Sequence, residues 1–477
     1  MKHAKKIVAA TLCAAVIALV PAFAGCSQSQ AYVTSIAKSG SEGNDDIYTI
    51  YYSDGTTSTF TVTNGSDGVT ADDLYNKYIE ETGDDISYSE FLSKYLTVEG
   101  DNSASAINYC LQSSLKIYSE FVAAQYNDFN MFTGYNTSVY TGAAVIYDID
   151  NITDGYTYIV TNYHVVYLNS AQPALNGGTK VARSIYGYLY GSEGTPSASG
   201  QDSNGYTTYD YGDYGIELEY VGGSVENDIA VLRVETDKIK AVNENIRAVD
   251  IADDYYVGET AIAIGNPEGN GLSVTKGIIS TENELISLNI DGTSRTYRSL
   301  RIDTPLYSGN SGGGLFNSSG ELIGITNAGN TEDQNINYAI PLEIVTGMVD
   351  NILCYANDGD NQTNGAYTVK FGITVSSSGS KYVYDSDKGY GEITENVNVE
   401  SVTTDTIAAG LGLQNGDVIK KIEVNGTEKE INRTFTLGDV ALTLRSGDKI
   451  RFVLERDGET VTTSIYTIST SDLVQVE

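Results

Sequence analysis

Histidine is nearly absent from this chain, with 2 in 477 residues, and one of them, His3, lies in the leader described below. A single remaining imidazole, His164, excludes any multi-histidine metal site, and the four cysteines show no zinc spacing. Basic residues are scarce too: 28 Lys and Arg stand against 63 Asp and Glu, a formal net charge of −35. So acidic a chain repels a phosphate backbone, which sets nucleic acid aside as a partner. Beyond the leader no apolar run is long enough to span a membrane as a helix. The aspartates of the longest polar stretch do not follow a calcium-loop pattern. Neither a metal nor a cofactor is expected.

What is present begins with MKHAKKIVAATLCAAVIALVPAFAGCSQSQ, a basic start, a short apolar stretch and a small-residue cleavage site, the pattern of an export signal over residues 1–25. The segment AFAGC resembles a bacterial lipoprotein signal, which implies lipidation of Cys26 and anchoring to the outer face of the cell membrane. The alternative is plain secretion after cleavage near Ala24. Cys110 and Cys354 are then the only thiols left, and whether they pair is open at this stage.

The length suggests about three domains. Residues 31–98 begin with two alternating runs around Asp54 and Gly55, a β-hairpin signal. Two short amphipathic helices are predicted next, with Thr70 and Ser87 at N-caps and Asp73 and Glu90 three residues on. This small module carries no recognisable chemistry and reads as a spacer or binding unit. Residues 105–350 are short β-branched and aromatic runs broken by Gly, Asn and Asp, which predicts a β-rich barrel or sandwich. Within it, INYCLQSSLKIYSEF predicts a helix passing into a strand, and residues 190–213 read as a long polar surface loop. Residues 351–365 read as a linker, and 366–470 as a last β-rich unit.

One stretch, LYSGNSGGGLF at residues 306–316, places Ser311 in a glycine-rich turn. A serine nucleophile needs a base within hydrogen-bond reach and donors aimed at the developing oxyanion. His164 ends an apolar run in YIVTNYHVV, and Asp228 precedes the apolar run of NDIAVLRVE. The order His, Asp, Ser is that of the chymotrypsin type of triad, distinct from two other known orders.

Taken together, VTNYHVV, NDIAVL, AIAIGNPEGNGLSVTKGIIS, RIDTPLYSGNSGGGLFNSSGELIGITNA and NINYAIP resemble, in order, the protease domain of the HtrA (Deg) family of trypsin-like serine proteases. KFGITV and AAGLGLQNGDVI are similar to the carboxylate-binding loop and helix entry of the PDZ domain that follows in that family. The resemblance spans roughly residues 110–470. It implies a mostly β protein, a chymotrypsin-like double β-barrel followed by a PDZ domain, with the small hairpin-and-helix module ahead of both. It implies Ser311 as nucleophile, His164 as general base and Asp228 as its orienting acid, with the N–H groups of Gly309 and Ser311 as oxyanion hole. The specificity pocket would be lined by Leu306, Thr326, Asn327 and Asn337. With no acid at its base, cleavage after Lys or Arg is not expected, and a small or medium apolar residue fits better. Asn337 stands where the family usually has glycine, which narrows or polarises the pocket. In the PDZ-like unit, Phe371, Gly372 and Ile373 would bind peptide C-termini. The implied activity is degradation of unfolded or misfolded exported proteins, with a homotrimer as in many relatives. Two other readings stand beside it: a catalytically silent surface scaffold or holding chaperone that binds peptides through the PDZ-like unit, and, motivated by the N-terminal module and 37 tyrosines, an adhesin.

Overall fold

The computed structural model describes residues 33–42, 45–52, 56–63, 103–150, 155–329, 335–356, 366–386 and 388–476. The export signal, Cys26 and the two expected helices with Thr70 and Ser87 lie outside the described residues. The chain divides into two compact units, residues 1–100 and 101–477. In the first, β1 (Val33–Glu42), β2 (Asp45–Tyr52) and β3 (Thr57–Thr63) form an antiparallel sheet. The predicted hairpin is the β2–β3 pair, in which Tyr51 faces Thr57.

The second unit opens with helix α1 (Ser103–Cys110), which passes through a 3-10 turn into β4 (Ser114–Tyr126), as the mixed periodicity of that stretch predicts. β5 (Phe132–Ile149), β6 (Tyr156–Thr161), helix α2 (Tyr163–Val166) and β7 (Ser184–Leu189) follow, and then β8 (Ser197–Gln201), β9 (Thr207–Asp210), β10 (Ile216–Ser224) and β11 (Ile229–Glu235). Six of these strands close a barrel in the order β10-β11-β6-β5-β4-β7. β10 shows why it closes: Ile216 and Leu218 face in, while Glu217 and Glu219 face water, the period of two that one buried face demands. The stretch read as a plain surface loop instead contains the β8–β9 ribbon. It lacks a hydrophobic period because it is tied down by polar side chains: Arg183 bonds Glu120 and Asp202, and Thr137 donates to the Thr207 carbonyl.

After helix α3 (Thr236–Val242) come β12 (Asp250–Ile251), β13 (Thr260–Gly265), β14 (Ser273–Asn289), β15 (Ser294–Ile302), β16 (Gly314–Phe316), β17 (Glu321–Gly329) and β18 (Asn337–Pro341). Pairing of β17 with β18 closes a second six-stranded barrel, and β12 adds to its edge. Ile262, Ile264, Leu300, Ile302, Leu315, Phe316, Ile325 and Ile340 fill it, all 0–2% exposed, and burial on this scale dominates the stability of such a domain. Helix α4 (Leu342–Ala356) continues into the stretch read as linker, because its apolar residues keep a helical period past position 350 and Ile352 packs on Gly222 of β10.

The C-terminal unit holds β19 (Tyr367–Val369), β20 (Ile373–Asp385), β21 (Tyr390–Val402), helix α5 (Ile407–Gly410), β22 (Val418–Val424), β23 (Thr427–Glu430), helix α6 (Thr436–Thr443), β24 (Lys449–Arg456), β25 (Glu459–Thr462), β26 (Tyr466–Thr467) and β27 (Leu473–Gln475). It has its own core, centred on Val397, Val399, Ile419, Ile422, Phe452 and Leu454. Its sheet runs β20-β21-β22-β24-β25, so among the described residues β20 has one unpaired edge. No helix among the described residues is long and apolar enough to cross a membrane.

Candidate active site

The three sequence-predicted catalytic residues come from three different connections. β6 ends at Thr161, and the chain turns at once into α2, which carries His164. The helix packs closely on β5: a Cβ at Gly142 would lie 2.5 Å from a methyl of Val165. Asp228 ends the turn ahead of β11 in a left-handed conformation, φ 54°, which a short polar residue tolerates better than a bulky one. Its carbonyl accepts from the Tyr163 N–H at 3.2 Å and the Asn162 amide at 3.0 Å. Its carboxylate, 0% exposed, accepts the His164 backbone N–H at Oδ1, 2.9 Å, and meets ring Nδ1 at Oδ2, 2.7 Å. With Nδ1 donating to the carboxylate, Nε2 is the basic nitrogen. Burial alone would push this imidazole's pKa down, but the charge and hydrogen bond of Asp228 outweigh it and hold the value above the ordinary 6.5.

The loop of Ser311 lies against that helix. A Cβ on Gly312 would sit 2.2 Å from Thr161 Oγ1 and 3.1 Å from the Asn162 nitrogen, so only glycine lets the backbones meet. The Ser311 carbonyl accepts the Ala143 N–H at 2.9 Å. The Ser311 hydroxyl donates to the Asn327 carbonyl at 2.9 Å, and no hydrogen bond joins it to His164 in this structure. Rotation about its Cα–Cβ bond is needed before the imidazole can take its proton.

The amides around the serine are set by their carbonyls. In a trans peptide the N–H points opposite the C=O. The Ser308 carbonyl accepts from Glu268 N at 2.6 Å, which orients the Gly309 N–H. The Asn310 carbonyl accepts from Gly313 N at 3.0 Å and from the Thr326 hydroxyl at 2.7 Å, which orients the Ser311 N–H. Among the described residues nothing accepts either N–H. Gly309 has φ 97°, and a Cβ there would fall 2.2 Å from the Asn266 carbonyl.

Of the residues expected in the pocket, Thr326 turns its hydroxyl onto this loop, bonding the Asn310 and Gly313 carbonyls; a β-branched hydroxyl beside two carbonyls is better used as a brace than as a lining. Asn327 is buried and supplies the carbonyl that holds Ser311. Asn337 donates to the Thr304 carbonyl at 2.9 Å, and its Oδ1 would lie 2.8 Å from a Cβ on Gly329. The same Cβ would lie 3.5 Å from the Leu306 carbonyl oxygen, so Leu306, Gly329 and Asn337 converge. Asn266 and Asn162 escaped the sequence reading as site residues. Asn266 is 0% exposed, bonds Thr141 and Gly142 across the barrel interface, and donates its N–H to the Gly309 carbonyl. The Gly-Asn-Pro turn signal after an apolar strand was the available sign.

At the C-terminal unit, the Phe371 carbonyl accepts Ala408 N and the Gly372 carbonyl accepts Thr403 N. Among the described residues nothing accepts the Phe371 and Gly372 N–H groups. Gly372 is left-handed, and a Cβ there would lie 2.3 Å from Thr406. The Phe371 ring is buried against Phe452, and Ile373 begins β20 with its open edge. Cys110 and Cys354 are both free thiols; burial pushes the Cys110 thiol up to about 12.

Comparison with known proteins places residues 141–325, which include all three catalytic candidates, in a family model described as a trypsin-like peptidase domain. The serine protease Do-like HtrA of Lactococcus lactis subsp. cremoris is 27% identical over 77% of this chain and 81% of its own length. The serine endoprotease DegS of Haemophilus influenzae is 32% identical over 43% of this chain and 54% of its own. The periplasmic serine endoprotease DegP of Salmonella typhimurium is 30% identical over 52% of this chain and 48% of its own.

Proposed function

This chain is a trypsin-like serine endopeptidase of the HtrA type, and from that premise we propose that His164, Asp228 and Ser311 act as its triad on unfolded or misfolded exported proteins. The observation that carries the assignment is the 2.7 Å contact between the buried Asp228 carboxylate and Nδ1 of the chain's only described histidine, on a helix against which the serine loop packs. Ser311 turns to His164, loses its proton to Nε2 and attacks the scissile carbonyl. The resulting oxyanion accepts from the N–H groups of Gly309 and Ser311, which the pinned Ser308 and Asn310 carbonyls hold without reorganisation. Asp228 stabilises the imidazolium, which then protonates the leaving amine; water enters and the same residues release the acyl group. Asn337 closes the pocket against Gly329, which favours a small side chain before the scissile bond.

The C-terminal unit acts as a PDZ domain in this reading. An extended peptide adds to the open edge of β20, and its terminal carboxylate meets the N–H groups of Phe371, Gly372 and Ile373. Lipid on Cys26 would tether the enzyme to the outer face of the membrane, and a trimer would be its working form. The scaffold reading is less favoured, since the relatives are serine proteases by name and this chain keeps a His, an Asp and a Ser in the order the triad needs.

The test is hydrolysis of casein by the chain lacking its leader, beside Ser311→Ala at equal concentration. Cleavage is expected from the first and none from the second. Equal cleavage by both would remove Ser311 from the mechanism, and silence from both, with a hydrophobic C-terminal peptide added, would restore the scaffold reading.

A further inference from the structure

The turn that orients the oxyanion peptide is itself an unusual piece of backbone. Between β13 and β14 the chain takes left-handed conformations at Glu268 (φ 56°), Gly269 (φ 75°) and Gly271 (φ 117°). Left-handed Glu268 in particular costs conformational energy, and such a residue persists only where its surroundings over-determine it. From inside, Asn266 Oδ1 accepts the Gly271 N–H at 2.9 Å. From outside, the support comes from the segment between β7 and β8. Glu193 accepts the Leu272 N–H with both carboxylate oxygens, at 3.2 and 3.3 Å, and lies over Gly271, where a Cβ would be 2.7 Å from Oε2. Glu193 is held in turn by Lys116 of β4, 3.4 Å away. The Lys116 side chain is 4% exposed, its ammonium lies over the rings of Tyr118 and Tyr188, 5.7 and 5.5 Å from their centroids, and it has Glu193 as its one carboxylate partner among the described residues. A buried ammonium demands such a partner, so the carboxylate is fixed where the turn needs it.

We propose that Glu193 is a positioning residue for the oxyanion hole: it clamps the 266–272 turn, whose Asn266 and Glu268 N–H groups hold the carbonyls of Gly309 and Ser308. The segment after β7 thereby becomes part of the catalytic apparatus. This rests on the proposed catalytic role of Ser311. Because the oxyanion forms after substrate binds, loosening the turn lowers kcat and leaves KM nearly unchanged.

Simple removal of Glu193 would strand the Lys116 charge, so the experiment compares two double variants that both lack it, Lys116→Met with Glu193→Gln and Lys116→Met with Glu193→Ala. The glutamine keeps an oxygen acceptor for the Leu272 N–H; the alanine does not. With a peptide substrate, the glutamine pair is expected to keep kcat within about threefold of the parent. The alanine pair is expected to lose about tenfold or more in kcat at a KM within about twofold, a fraction of the ~10²–10³ for deleting an oxyanion donor. Thermal melts of both should match. Equal kcat for the two pairs, or a loss confined to KM, overturns the positioning role while leaving the triad intact. A Ser311→Ala control as active as the parent would overturn the catalytic reading and this one with it.

Discussion

At the scale of single residues, the decisive group in the proposed triad is His164, because its protonation state would set whether Ser311 can be activated. Asp228 raises its pKa above 6.5, and the imidazole must be neutral to accept the serine proton. Activity is therefore expected to rise with pH through a value above 6.5 and to be lost below it as the imidazolium forms. Asp228→Asn removes the charge that favours the imidazolium and leaves burial to act alone, so the acid limb moves to lower pH. The same change lets the ring take the wrong tautomer, and the rate at the plateau should fall by about 10⁴. A pH profile of kcat/KM for both proteins checks the two effects together. An unmoved limb in Asp228→Asn would mean that Asp228 does not set the histidine's charge.

At the scale of elements, the site is a set of loops pinned by carbonyls, and Gly309 is where that arrangement tolerates least. With φ 97° and the Asn266 carbonyl 2.2 Å from any Cβ, Gly309→Ala has to push the 308–309 peptide away from the 266–272 turn. The expected result is a loss of about 10²–10³ in kcat, the size of one lost oxyanion donor, together with a lower melting temperature, because the strain falls on a buried, left-handed position. A variant of full activity would take Gly309 out of the oxyanion hole. What was legible in the sequence follows the same division. Strands such as β10 and β24 announce themselves through a period of two imposed by one buried face, and the triad motifs are local enough to read directly. The β8–β9 ribbon was not legible, because Glu120, Arg183, Asp202 and Thr207 hold it by polar contacts that have no period. Thr326 read as pocket lining for a related reason: that its hydroxyl meets two carbonyls of the serine loop depends on the pairing of β16 with β17, which no single stretch contains. The Glu193 contact to Leu272 bridges 79 residues and is equally invisible to a local reading.

At the scale of the whole molecule, the protease and the C-terminal unit are joined by charge as much as by apolar packing. Arg298 of β15 bonds Glu343 of α4 at 3.0 Å and Asp439 of α6 at 2.7 Å, with Tyr255 donating to Glu343 and Phe435 stacked on the guanidinium. Arg433 pairs with Glu282 of β14 and with Glu395 in its own unit, and Tyr390 stacks on Tyr256. One cation thus serves two carboxylates in the Arg298 cluster. Burial pushes the Asp439 carboxyl up, the Arg298 charge pulls it back, Glu343 pushes it up again, and the outcome is about 7. A carboxyl that binds its proton more tightly folded than unfolded makes the folded state less stable as pH rises from about 4 to about 7, with no further change from this group above that. Docking of the two units should therefore be firmest in mild acid and loosen toward neutrality. Asp439→Asn keeps an acceptor for Arg298 and has no proton to lose, so its melting temperature should drop less than the parent's between pH 5 and 7.5. Measured on the full chain, the difference between the two curves isolates Asp439 from the many other acids. Parallel curves would show that Asp439 is already ionised throughout that range and contributes no pH dependence to the interface.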